Sequence, residues 1–424
     1  MLTALLFWGC SNFTIDTGDT FVEATPSVHE ASNSDWEGQN ALYGDFPAEK
    51  DLAILFELFD DPMISAGDVT PVGRTYLPYR WLYTVSSAFQ QTDVGDALDT
   101  ENVYEEWRVV SMRVVPCQPL GIMPAQTSDV LCWPTLRLVW QPVVEDAIVS
   151  WGRADYYADD RAIHAIYPLQ PRTLYGEVID SDIRKRVAGR LQEGALEDDL
   201  SDLLLNEFKT LRDSTAEYFL ARTESLRSRS LSAGSWDGYG VRPEVYLGET
   251  ERNAFQSRIR EFMGEFALPN DLAELTAFSL PEGRSPAHSD IWVFLQFEGR
   301  NGEIHQQEIT VLSPEDGRQL ANMGLDQTVS MAVEDEEVLD ALDEVGEELE
   351  RLLIIDPEDV EQIGADMADP DAFFVPNTSC ASCHRLNDIR FDFHSLSHLE
   401  DGNMTISPRV VGDVKRELNW VRTR

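Results

Sequence analysis

Two runs, Trp107-Arg-Val-Val-Ser-Met-Arg-Val-Val115 and Leu136-Arg-Leu-Val-Trp-Gln-Pro-Val-Val144, constrain this chain more than any other feature. Both are dense in β-branched and aromatic residues, which fit a pleated, half-buried surface, so each reads as a strand. Cys117 follows the first run and Cys132 precedes the second, so the cysteines flank one long loop at the strand ends. In an oxidising compartment the two can pair and clasp the hairpin, with a stabilisation of roughly 3 kcal/mol for a loop of this size. In a reducing compartment they are two buried thiols.

The remaining pattern predicts helices mixed with strands. From Ile183 to about Ser228, Leu191, Leu200, Leu203, Leu204, Phe208, Leu211, Tyr218 and Phe219 recur at helical spacing, predicting one or two amphipathic helices. Arg252 to Phe266 predicts another, closed by Leu268-Pro269-Asn270. Ile291–Phe297 and Ile304–Leu312 flank Gly299-Arg-Asn-Gly302, a hairpin signal because Asn-Gly accepts positive φ. Glu334 to Ile355 is a further helical pattern, with Val338, Leu342, Val345, Leu349 and Leu352 on one stripe and Asp356-Pro357 as its stop. The fold class expected is α+β.

At 424 residues the chain exceeds the size at which one core keeps growing, which suggests several domains. The expected division is a signal-like segment at 1–9, a flexible tether at 10–45, a β-rich domain at 46–175, a mixed α/β region at 176–328 and a small helical tail at 329–424. The tether is inferred from Ser11 to Asn40, where small polar and acidic residues show no apolar period.

Charge excludes one class of partner. Asp and Glu number 76 against 33 Lys and Arg, a formal net charge of -43, and the lysines are Lys50, Lys185, Lys209 and Lys415 alone. Phosphate neutralisation needs a basic face that this composition does not supply, so no nucleic-acid partner is expected. A strongly hydrated surface, or a docking face for a basic protein, is consistent with the acidity. No nucleophile elbow, HExxH motif, phosphate-cradling glycine loop or internal repeat occurs, and an electron carrier or binding protein is expected rather than an enzyme.

The one compact chemical signature is Cys380-Ala-Ser-Cys383-His384. Its C-x-x-C-H spacing resembles the c-type haem attachment motif. That resemblance implies thioether bonds from Cys380 and Cys383 to the haem vinyl groups and His384 as an axial iron ligand. The second axial ligand would then be Met404, His394 or His398, methionine giving the higher potential. Two other readings of the same residues stay open. Cys380-x2-Cys383-x10-His394-x3-His398 approaches a zinc spacing, although its central gap falls short of about 12 to 15 residues. A plain Cys380–Cys383 disulfide is the other.

The start, Met1-Leu-Thr-Ala-Leu-Leu-Phe-Trp-Gly9-Cys10, resembles the end of a bacterial lipoprotein signal peptide, which implies an acylated Cys10 and a membrane anchor. The alternative, read from its residues alone, is a buried N-terminal segment. This start resembles large secreted bacterial lipoproteins with a haem motif when taken with the Cys117–Cys132 hairpin, Asp160-Arg-Ala-Ile-His164-Ala-Ile-Tyr167, and a terminal CxxCH followed by Phe393-His394 and Ser407-Pro408-Arg409. The likeness implies the cell envelope, periplasm or outer membrane, and brings no activity with it. The expected function is an electron-transferring lipoprotein with one covalent haem c and a redox partner, for which a basic surface would be complementary. The alternative is a non-enzymatic surface scaffold with disulfide staples or a zinc-stabilised tail.

Overall fold

The computed structural model describes residues 46–56, 63–70, 73–90, 104–120, 130–146, 155–158, 162–228, 239–279, 293–307, 396–398, 404–406 and 408–424. Cys10, the 10–45 tether, the 334–355 helix, Cys380, Cys383, His384 and His394 lie outside the described residues.

The described chain is α+β, built on one antiparallel sheet. In order along the chain come helix α1 (Glu49–Leu52), strand β1 (Ala53–Leu55), helix α2 (Tyr79–Gln90), strands β2 (Trp107–Pro119), β3 (Cys132–Asp146), β4 (Asp155–Ala158) and β5 (Ala162–Pro168). Helices α3 (Ile183–Gln192), α4 (Asp202–Glu224) and α5 (Glu249–Phe266) follow, then β6 (Glu274–Ser279), β7 (Val293–Arg300) and β8 (Glu303–Gln307). A two-stranded hairpin, β9 (Leu396–His398) and β10 (Met404–Ile406), leads to the last helix, α6 (Pro408–Thr423). Thus residues 396–398 and 404–406 contribute strands to a tail expected to be helical. The main sheet runs β1-β2-β3-β5-β6-β7-β8, with β4 on the far end of β3.

The two long runs pair as expected, in register through Met112↔Leu138 and Val114↔Leu136, with irregularities at Val109/Ser111 and Val115/Gln118. Cys117 and Cys132 meet at the end of this ribbon as a disulfide, Cα atoms 4.9 Å apart. The Asn-Gly signal is also met. Asn301 (φ 56°) and Gly302 (φ 81°) both take the left-handed conformation that a two-residue primed turn requires. The Gly302 carbonyl accepts hydrogen bonds from Trp81 Nε1 (2.9 Å) and Arg80 Nη2 (2.6 Å), docking α2 on the hairpin.

Strand pairing crosses the division expected between residues 175 and 176. Pairs such as Ala165↔Leu275 and Ile163↔Ala277 join β5 to β6, and helices α3 to α5 fill the connection. The 46–168 and 274–307 strands therefore share one sheet.

Alternation gives the sheet two unlike faces. One carries Met112, Val114, Leu136, Leu138, Trp140, Ile163, Ala165, Tyr167, Leu275, Ala277, Leu295 and Phe297, all buried. With Trp81 of α2 and Phe219, Phe262 and Phe266 of α4 and α5, they form one core. The three phenylalanine rings lie 4.9 to 5.6 Å apart centre to centre, a spacing favourable for aromatic pairs. A smaller core joins Trp133 to Ile183, Val187 and Leu191 of α3 and Phe208 of α4.

A buried charge quartet fixes the start of the described chain. Asp51 receives Nε of Arg227 (3.0 Å) and Nη1 of Arg242 (3.2 Å), with a second short contact from Arg227. Arg242 also forks onto Glu244 at 2.6 and 3.0 Å. Such a set adds little net stability, but removing one member leaves a buried charge unpaired.

Gly299 sits where β7 meets the segment before β6: a Cβ added there would lie 2.2 Å from the Leu272 carbonyl oxygen. Gly299→Ala is expected to cost about 2 kcal/mol or more through forced separation of that contact, measured as a lowered urea midpoint with an unchanged slope.

Candidate functional site

The opposite face of the sheet is polar, and strand register lines its residues up in transverse rows. One row reads Ala53, Arg113, Arg137, Ile166, Glu274, Glu298 and His305, and the next reads Leu55, Ser111, Val139, His164, Thr276, Gln296 and Gln307. Arg113 and Arg137 are direct cross-strand partners. Two like charges opposite one another are unfavourable in a sheet, so the pair needs anions supplied from elsewhere.

Helix α6 supplies them. Arg113 donates from Nη1 to Asp413 Oδ2 (3.2 Å) and from Nη2 to Glu417 Oε1 (2.7 Å), and all three residues are buried. Asp413 and Glu417 stand four residues apart and so share one helix face. Below them, Arg137 donates to the neutral Gln118 side chain at 2.6 Å. Burial, then the neighbouring Arg113 charge, lowers its pKa to about 10. Burial opposes the charge on Arg113 too, but Glu417 and Asp413 outweigh it and raise its pKa. Burial pushes the Glu417 carboxyl up to about 7; Arg113 pulls it down and Asp413 pushes it further up. Tyr239 donates to the Val411 carbonyl at 3.4 Å, its own hydroxyl pushed up by burial.

The far end of α6 is anchored by apolar and cation–π contacts. Trp420 packs with the Cys117–Cys132 bridge and Ala216 of α4. The guanidinium carbons of Arg424 and Arg212 lie 4.4 and 5.6 Å from its ring centre, within the range of a cation–π contact. The helix thus clamps the sheet at two points. Its signal in the sequence is Ser407-Pro408 ahead of Val410, Val414, Leu418 and Val421, a start dipeptide followed by helical spacing; sequence reasoning had taken Ser-Pro-Arg409 only as part of a resemblance.

Immediately before this helix lies the hairpin holding two of the candidate iron ligands. Met404 and His398 are direct register partners in the β9–β10 pairing. Directly opposed residues have Cα atoms about 4.5 to 5.5 Å apart, so the backbone brings these two candidates to one place, beside β2. Cys380, Cys383, His384 and His394 fall outside the described residues. Among the described residues no group of three or more His, Cys, Asp or Glu side chains is arranged to hold a metal ion, and no helix is long and apolar enough to cross a membrane. His164 and His305 occupy neighbouring rows of the polar face, on different strands.

The chain matches no protein-family model, and neither curated proteins nor solved structures give a match.

Replacing Arg113 by methionine leaves two buried carboxylates without their cation. Arg113→Met is expected to lose about 3 to 5 kcal/mol of stability. Limited proteolysis should then cut first within 404–412, whereas the intact protein resists cleavage there; equal protection in both proteins would show that α6 is held by something other than Arg113.

Proposed function

We propose that the protein is an exported, lipid-anchored carrier of single electrons in the cell envelope, with one haem c held by its C-terminal tail. The observation that carries this reading is the sequence Cys380-Ala-Ser-Cys383-His384, the attachment spacing for covalent haem. Cys380 and Cys383 would hold the group and His384 would ligate its iron. The register pairing of His398 with Met404 supports a second ligand drawn from that hairpin, with His394 the remaining candidate. Bound there, haem c would supply a one-electron couple whose potential depends on which of these residues ligates it. Cys10 is the proposed lipid attachment point, and the sheet with its helices serves as the rigid body that carries the tail. The cytochrome-like character of the tail and the periplasmic or outer-membrane location belong to the same proposal. A redox partner carrying basic side chains would complement a chain with formal charge -43.

A second reading rests on the Cys117–Cys132 bridge. In it the cysteines serve only as staples, and the protein is a binding scaffold without a redox group, with zinc on Cys380, Cys383, His394 and His398 as a variant.

Expression in a host that matures c-type cytochromes separates these readings by intact mass and absorbance. The carrier reading expects a haem-sized mass increment and reduced-minus-oxidised bands, both abolished in Cys380→Ala/Cys383→Ala. A colourless protein lighter by two hydrogens at Cys380 and Cys383 would replace it with the staple reading, and a dialysable zinc ion would replace it with the metal variant. If the haem is present, Met404→Leu and His398→Phe separate the two ligand candidates: loss of methionine is expected to lower the potential, while a change confined to His398→Phe assigns the position to histidine.

A further inference from the structure

Glu417 stands out among the buried carboxylates of the described residues. It is 1% exposed, its Oε1 takes one hydrogen bond from Arg113, and its Oε2 is buried with no hydrogen-bond partner. An ionised carboxylate has about four acceptor sites to satisfy, and leaving buried ones empty is costly. Protonation turns the orphaned oxygen's environment from one that must stabilise charge into one that need only hold a neutral group. Asp413, sharing the same guanidinium from one turn earlier, makes the fully ionised state of Glu417 still less favourable.

We propose that α6 is a pH-gated latch, held closed on the sheet while Glu417 keeps its proton beside Arg113 and loosened when Glu417 and Asp413 are both charged. The charged groups around Glu417 can be followed element by element. On the sheet, Arg113 of β2 is the direct partner and Arg137 of β3 lies behind it, itself influenced by Glu274 of β6. On α6 itself stand Asp413 and Arg416, which are 3.9 Å apart. Tyr239 approaches from the loop after α4, with Glu49 of α1 acting on it. Asp51 of α1 is already committed to Arg227 and Arg242. At the far end, Arg424 pairs with Asp213 of α4 at 3.4 Å. None of these provides the missing donor for Oε2.

The sign follows from the direction of the shift. Burial raises the carboxyl from its ordinary 4.5 to about 7 in the folded protein. A group that binds its proton more tightly when folded contributes stability that is complete below the lower value and is lost as pH rises through the higher one. The latch is therefore firm in mild acid and weakest above neutrality. Because α6 follows β10 directly, its grip also bears on how the β9–β10 hairpin is held beside β2. This inference does not depend on a haem being present.

Amide hydrogen exchange on the full chain tests it, read on peptides covering 410–421 at pH 5.5, 6.5, 7.5 and 8.5 after correction for intrinsic exchange. A β3 peptide over 135–141 serves as the internal reference. Protection of α6 in the native protein should fall about tenfold or more across this range while β3 stays constant, tenfold corresponding to one unit of pKa difference. Glu417→Gln should hold α6 at its low-pH protection throughout. In Asp413→Asn, which removes the nearer repelling charge, the loss should begin at a lower pH. Protection of native α6 that is flat with pH, or a fall that persists unchanged in Glu417→Gln, overturns the latch. If Glu417→Gln fails to fold, a transition in Asp413→Asn at the native pH overturns it equally.

Discussion

Everything described in this molecule is placed by the long antiparallel ribbon of β2 and β3. Its pairing runs from Trp107↔Pro142 to Pro119↔Cys132, and the disulfide closes the end from which the loop departs. β1 adds to one edge, β5 through β8 extend the other, and α6 lies along its polar side. Fixing this register decides which residues face the core, because a slip of one residue would exchange Leu136 and Leu138 for Arg137 and Val139. The ribbon therefore specifies both the hydrophobic core and the polar face opposite.

That polar face explains why the fold needs its last helix. A sheet with arginines at Arg113 and Arg137 cannot be covered by an apolar helix without burying unpaired cations, and it cannot be left uncovered where Val414 and Leu418 complete the core around β1 and β2. The amphipathic solution is a helix that presents valine and leucine beside two carboxylates. The ion pairs contribute orientation more than net stability, since desolvation offsets most of their attraction. They fix the rotation of α6 about its axis, and the Trp420 contacts with the disulfide fix its far end.

Sequence reasoning recovered the parts whose signal is local. The β2 and β3 runs and the Asn301-Gly302 turn are legible because β-branched density and the left-handed turn pair each act within a few residues. The α3, α4 and α5 helices are legible from apolar spacing. By contrast, α2 is rich in aromatic and β-branched residues, Tyr79-Arg-Trp-Leu-Tyr-Thr-Val, and lies within the stretch expected to be β-rich; Trp81 and Arg80 bond Gly302 from across the chain. The joining of β5 to β6 across three helices has no local marker either. Arg113 and Arg137 look like ordinary outward-facing residues of half-exposed strands. Nothing near them in sequence shows that residues of the last helix bury them. The cysteine motif is plain in the sequence and lies outside the described residues, so its chemistry still rests on spacing alone.

The partners of Arg113 have a kinetic consequence. Asp413 lies 300 positions and Glu417 304 positions further along the chain, so both carboxylates are synthesised long after the arginine they pair with. During that interval the ribbon can pair, but its arginines remain hydrated and its polar side stays open. Pairings so distant in sequence are entropically slow to close. A nascent chain of this design therefore sets its clamp only after residue 417 has emerged.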